Sequence, residues 1–219
     1  MRKLIPGLVL LLIAGGFSIW AYPQLPAQVA THFDLDGTPN GWSSRLTAVL
    51  LVPALAVLLV GLFTVIPRID PRRANYALFT PTYWSILNAV LVLLAAIHLL
   101  VLGKAIGWEV DLGRVAGVGV GAFFVFMGNL MTRIRPNWFM GIRTPWTLSS
   151  ESVWRKTRRF GEMAFAIAGA CIAASTLVHV SWIRYSAFGL AVAAGLSSVA
   201  YSYLVWTREQ VASPPEVMP

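Results

Sequence analysis

The chain has 219 residues, 57% of them hydrophobic and only 12% charged, with a mean hydropathy of +0.69. This balance excludes an ordinary water-soluble domain and marks an integral membrane protein. A net charge of +8 would suit a nucleic-acid binder. The cations, however, cluster at the ends of apolar runs and in no recognised DNA-reading motif, so no direct nucleic-acid partner is expected.

A spanning helix needs about 20 mostly apolar residues, and six runs come close: Leu4 to Ala21, Leu46 to Ile66, Tyr83 to Leu102, Val115 to Met131, Met163 to Val180 and Tyr185 to Trp206. The expected fold is therefore all-α and polytopic, a six-helix transmembrane bundle. The first run follows a short basic start, but its A-x-A-like cleavage pattern is weak and five further spans follow, so it reads as a retained anchor. No polar stretch is long enough for a separate soluble domain. The single cysteine, Cys171, permits no internal disulfide.

Lys and Arg are retained on the cytoplasmic side. One set of segments holds Arg2, Lys3, Arg68, Arg72, Arg73, Arg208 and the seven cations of Gly128 to Glu162; the other holds only Arg45, Lys104, Arg114 and Arg184. Both termini are thus expected to be cytoplasmic.

The extracytoplasmic loop 22–45 is punctuated by Pro23, Pro26, Gly37, Pro39 and Gly41. Tyr22 and Trp42 suit the membrane interface. His32, Asp34 and Asp36 alternate, which on an extended segment puts them on one face, where two carboxylates suit a hard cation and the His suits zinc. The pattern lacks the remaining ligands of an EF-hand or a closed zinc site. Asx-type turns before Gly37, with a packing role for His32, account for it better, so no metal or cofactor is assigned. His32, Asp34, Asp36, Asn40 and Trp42 stand as the outer-loop binding candidates.

Within the spans the polar residues are few. His98 is expected near the outer interface, and Asn129 and Glu162 at equal cytoplasmic depth, where a hydrogen bond between them or to Arg143 would brace the loop beside them. The glycine and alanine runs in Val115–Phe124 and Ala166–Ser175 read as close-packing helix faces.

Between the fourth and fifth runs lies a polar island, Gly128 to Glu162, with seven cations and three tryptophans. Pro136, Gly141 and Pro145 rule out a continuous helix through its first part, and Trp138, Phe139 and Trp146 suit the interface. Ser149 or Ser150 before Glu151 is a helix start. From Glu151 to Phe160, Val153, Trp154, Thr157 and Phe160 form one face against Arg155, Lys156, Arg158 and Arg159. This predicts a cytoplasmic interfacial helix lying on anionic headgroups, each cation contributing about 1 kcal/mol. Arg143, between Gly141 and Pro145, can reach a phosphate, a carboxylate or helix carbonyls; capping of helix ends by Arg135 and Arg143 is the simpler alternative.

"RPNWFMGIRTPWTLSSESVWRKTRRFG" resembles the C-terminal signature of the SdpI family, membrane proteins named for an immunity protein against a secreted bacterial killing peptide. "LPAQVATHFDLDGTPNGW" resembles the uncharacterised N-terminal domain that often precedes it. Arg158 stands where the family's Lys-Thr-His-Arg has a His, so a role needing a titrating imidazole does not carry over. The resemblance implies a six-helix protein of the bacterial cytoplasmic membrane that resists a membrane-active toxin peptide, and in the type system a cytoplasmic repressor held at the membrane. It divides the chain into an N-terminal helical hairpin, 1–66, and an SdpI-like four-helix region, 67–219, with a basic loop 132–160. The partner- or lipid-binding candidates are Arg135, Asn137, Gly141, Arg143, Thr144, Pro145, Trp146, Thr147, Trp154, Lys156, Thr157 and Arg159. Two other classes compete. A membrane metalloenzyme has only the outer loop to draw on, since H-E-x-x-H and Gly-x-Ser-x-Gly are absent and no catalytic residue is assigned. A small transporter or lipid-binding scaffold would fit three plus three helices, but no internal similarity supports the division.

Overall fold

The computed structural model describes residues 4–178 and 180–212. Arg2 and Lys3 of the expected orientation, and His179 of the expected fifth span, lie outside the described residues. The long helices are α1 (Ile5–Ala21), α2 (Arg45–Ile69), α3 (Tyr76–Ala105), α4 (Leu112–Met131), α6 (Glu151–Ser175) and α7 (Ser181–Ala212), with a short α5 (Pro145–Ser149) before α6. Five of them, all but α6, are long and apolar enough to cross a membrane. Their outward faces carry Leu12, Ile19, Val57 and Leu196, each at least 67% exposed. Such a surface suits hydrocarbon and not water. The chain is an all-α, multi-pass membrane protein.

Helix α6 corrects the expected surface helix. Instead of ending at Phe160, it runs unbroken from Glu151 to Ser175. Gly161 is a packing residue and not a breaker, since a Cβ there would lie 2.6 Å from Met131 Sδ. The uncharged stretch from Met163 to Ser175 rises only about 20 Å, short of the about 30 Å of a hydrocarbon core. It runs along α4 from Glu162, beside Gly128, to its C-cap Thr176, beside Gly117, and the helix as a whole also packs on α7.

The helices associate as two groups. Helix α3 packs chiefly on α1 and also on α2, α6 packs on α4 and α7, and α3 meets α4 between the groups. At the α4–α6 crossing a Cβ on Gly121 would lie 2.6 Å from Gly169 O, and one on Gly169 would lie 2.5 Å from Gly121 O. The small-residue runs therefore do form a close-packed face, with backbone against backbone.

Pro53, Pro67 and Pro81 interrupt the backbone ladders of α2 and α3, and at Pro67 a neighbouring helix closes the gap. Pro67 in α2 has no N–H for the Phe63 carbonyl four residues back; the Tyr83 hydroxyl of α3 donates to that oxygen at 2.8 Å. Helix α3 kinks at Phe79 (φ −136°, ψ 20°), two residues before Pro81. Asn88 Oδ1 accepts from Gly7 N at 2.8 Å, satisfying one of the free amides in the first turn of α1. His98, expected near the interface, is 2% exposed against α1, its Nε2 2.7 Å from Ser18 Oγ. The Ser18 hydroxyl donates to the Ala14 carbonyl at 2.8 Å, so the Nε2–H tautomer of His98 completes the chain of hydrogen bonds.

The outer loop contains a folded element that turn chemistry alone did not reveal. Strands β1 (Gln28–Phe33) and β2 (Pro39–Ser44) pair antiparallel, with irregularities on either side of His32. Val29 is fully buried in a cluster with Leu25, Ala48, Val49 and Leu102, which seats the hairpin on α2 and α3. Its tip crosses to the other helix group. Gly37 takes φ +82° and lies so close to α4 that a Cβ would meet Gly113 N at 2.6 Å, a place only glycine fills without strain.

Candidate functional site

The basic end of the bundle gathers the connection before α3, the 132–144 segment, α5 and the first turns of α6. Its organising group is Asp70, 2% exposed. Asp70 Oδ2 accepts from the Tyr76 hydroxyl at 2.8 Å and from Trp138 N at 2.9 Å, and Oδ1 accepts from Arg72 N at 2.7 Å. Arg72 Nη2 donates to Leu148 O at 2.6 Å, and Asn75 Nδ2 to Pro136 O at 2.7 Å. The short connection between α2 and α3 is thereby tied to the island. Sequence reasoning missed Asp70, although a lone acid before Pro71 in a basic loop marks a turn with a carboxylate to place.

Of the island candidates, several build its shape. Asn137 is fully buried: its Oδ1 accepts from Phe139 N at 2.9 Å and Met140 N at 2.7 Å, and its Nδ2 donates to Arg135 O at 2.9 Å. Gly141 supplies a positive φ of 92°. Thr144 caps α5 through Thr147 N at 3.2 Å, Thr147 Oγ1 returns the bond to Thr144 N at 2.8 Å, and Pro145 fills the first helical position. This is a capping box in which Thr replaces the usual Glu or Gln. Thr144 Oγ1 also lies 3.0 Å from Ser202 Oγ, and the Trp146 ring packs 5.0 Å from Tyr203, so α5 is docked on α7.

Ser150 caps α6, as its sequence position predicts. Val153, Trp154 and Thr157 are buried, while Phe160, half-buried, stacks on Tyr201 with 4.6 Å between ring centroids. The expected apolar face therefore meets protein. Trp154 Nε1 donates to Ile134 O at 3.4 Å. Lys156 Nζ lies 2.8 Å from Glu209 Oε1, to which Ser152 also donates at 2.7 Å. Arg143, exposed, donates through Nη1 to Trp138 O at 2.7 Å; it braces a loop carbonyl and does not cap a transmembrane helix. No hydrogen bond joins Asn129 to Glu162 or Arg143 among the described residues. The glycine before Asn129 does pack there: a Cβ on Gly128 would lie 2.8 Å from Glu162 O.

Arg158 is misplaced by the sequence reading, which puts it on the lipid-facing basic side. It is 1% exposed, with its guanidinium 5.2 Å from the Trp154 ring. It lies before the apolar half of α6. Burial first, then the charge of Arg135, push its pKa down to about 9, with Glu162 opposing; the guanidinium stays protonated at neutral pH. It forms part of the wall of a cleft of about 700 Å³ shared with Arg133, Arg135, Arg155, Arg159 and Glu162.

At the opposite end, the outer-loop candidates are engaged separately. Asp34 Oδ1 accepts from Asp36 N at 3.0 Å and Thr38 N at 2.8 Å, the expected Asx turn. Asp36 pairs with Arg184 of α7 at 3.1 Å. His32 Nδ1 faces Asn40 Oδ1 across the hairpin. Trp42 is exposed. The alternation that would align His32, Asp34 and Asp36 is broken because β1 ends at Phe33 and the turn redirects the backbone from Asp34 onward. No group of three or more such side chains converges among the described residues. Beside the hairpin, a pocket of about 290 Å³ is lined by Phe33, Leu35, Val101, Val120 and Phe188.

Residues 9–57 match a domain of unknown function, DUF1648, and residues 133–205 match the SdpI/YfhL protein family. The first covers α1, the hairpin and the start of α2, and the second covers the island, α6 and most of α7. Over 203 residues the chain is 26% identical to "Immunity protein SdpI" of Bacillus subtilis (strain 168), covering 93% of this chain and 95% of that protein. No solved structure gives a significant match. In chain order, then, this multi-pass membrane protein is similar to the DUF1648 domain over residues 9–57 and to the SdpI/YfhL protein family over residues 133–205.

Proposed function

We propose that the chain gives a bacterial cell immunity to a membrane-active toxin peptide, acting by binding and not by catalysis. The observation that carries the reading is end-to-end similarity to a protein named for immunity, across the hairpin end and the basic end alike. The basic end faces the cytoplasm, as the distribution of Lys and Arg requires. The hairpin end then faces the toxin. There the pocket between the hairpin and α3, α4 and α7 is apolar and sized for a peptide side chain or two. At the other end Arg135, Arg143, Lys156 and Arg159 present a surface to anionic headgroups and to a cytoplasmic repressor.

The test is protection. Expression of the chain in a sensitive bacterium should raise the dose of the cognate killing peptide needed for half-killing by about tenfold or more, given micromolar or tighter binding. Loss of that protection in Arg143→Ala, at an unchanged level in the membrane, would place the basic end in the mechanism; full protection would leave the mechanism to the hairpin end. Equal killing with and without the chain overturns the reading. Substrate flux through the protein in liposomes, without protection, would support the transporter instead.

A further inference from the structure

Among the described residues, the cations lining the cleft at the basic end outnumber its anions. Arg133, Arg135, Arg155, Arg158 and Arg159 line it against Glu151 and Glu162. Among the described residues Glu151 reaches only Arg155, at 3.9 Å, and both of those side chains are largely exposed. Arg158 is the decisive member. It is 1% exposed, and its Nε and Nη2 have no hydrogen-bond partner among the described residues. Burial of a charge without partners is among the costliest arrangements in a fold. The face of Trp154 returns only part of the lost hydration. A guanidinium in that position is satisfied by an oxyanion that accepts from two of its nitrogens at once, the geometry in which Arg excels.

We propose that this cleft is a phosphate-binding site, with buried Arg158 as the inner donor and Arg135 and Arg159 closing the mouth. Two sources supply that chemistry, an anionic lipid headgroup and free phosphate. The cleft's volume of about 700 Å³ exceeds a bare phosphate, and its wall includes Leu78, 67% exposed. This leaves room for a glycerophosphate headgroup with its chains along the bundle. The site needs no toxin, so it stands or falls separately from the immunity reading.

The experiment uses the full chain purified in a neutral detergent. Its thermal midpoint is followed against inorganic phosphate, short-chain phosphatidylglycerol and short-chain phosphatidylcholine, each compared with sodium chloride at equal ionic strength. Phosphate or phosphatidylglycerol should raise the midpoint saturably. Arg158→Met should weaken the apparent affinity about tenfold or more, the loss expected for a bidentate charged hydrogen bond. In the absence of either anion, Arg158→Met should melt at or above the wild type, because it removes an unpaired buried charge. Arg73→Gln, exposed and outside the cleft, should respond like wild type. A response to phosphatidylglycerol alone assigns the lipid headgroup, to phosphate alone the free anion, and to both an oxyanion site open to either. No response beyond chloride, or equal responses in wild type and Arg158→Met, overturns the proposal. If Arg158→Met does not fold, the double variant Arg135→Gln/Arg159→Gln, altered only at exposed positions, decides by the same criterion.

Discussion

Asp70 and Arg143 exchange importance between sequence and structure. Arg143, conspicuous between its glycine and proline, makes one hydrogen bond to a loop carbonyl and is exposed. Asp70, a single acid in a basic segment, holds two backbone amides and a tyrosine hydroxyl while 2% exposed. Asp70→Ala strands the Trp138 amide and the Tyr76 hydroxyl, and should cost about 3 kcal/mol, read as the loss of denaturant midpoint in detergent. Asp70→Asn keeps one acceptor oxygen and should lose less. Tyr83→Phe tests the other residue-scale repair. It leaves the Phe63 carbonyl without a donor in a region where no water replaces it, for a loss of about 1–3 kcal/mol. Tyr203→Phe, exposed, should be close to neutral. Hydrophobicity and charge made neither Asp70 nor Tyr83 visible, since their roles are defined by partners distant in sequence.

Among the elements, the crossing of α4 and α6 and the continuity of α6 rest on the same physics. Exposed glycine in a helix is ordinarily improved by alanine, by about 1 kcal/mol. Gly189 of α7, exposed with nothing within 4 Å of a built Cβ, should obey that rule. Gly121 should reverse it, because its Cβ would meet Gly169 O at 2.6 Å and Ala173 N at 2.7 Å, which are backbone atoms that cannot rotate away. Gly121→Ala is therefore expected to lower the thermal midpoint and Gly189→Ala to raise or leave it, a difference in sign that a single melting series reads. The glycine and alanine runs announced a packing face. They did not announce that Gly161 would join it and carry the helix past Phe160, because a glycine that ends a helix and one that admits a neighbour are the same residue.

For the molecule as a whole, the hairpin is the part that joins the two helix groups on one side. Its base is seated by Val29 and Leu25 on α2 and α3, while its tip abuts the start of α4 and pairs with Arg184 of α7. Asp36 and Arg184 are 30% and 8% exposed as side chains, enough burial for the pair to exceed a surface ion pair. Arg184→Ala should release the tip at a cost of about 2 kcal/mol. Amide exchange across 28–44 should then accelerate while α1 and α3 stay protected. Unchanged exchange there would mean that the backbone approach of Gly37 to Gly113 holds the tip by itself.

The amino-acid sequence alone determined that this chain lives in a membrane, where its helices run, where the island breaks and where α6 starts. Each of these depends on quantities local to the chain: apolar run length, cap residues, prolines and the placement of charge. Only the tertiary structure decided that the interfacial helix is the first half of a longer one, that the outer loop pairs as a hairpin across both helix groups, and that Arg158 points inward. The basic residues look equivalent along the chain because each carries the same charge. Packing separates them, leaving Arg143 and Arg159 in the open and burying Arg158 against Trp154 in a cleft. Where a guanidinium ends up depends on which helix its neighbours meet, and no single helix contains that information.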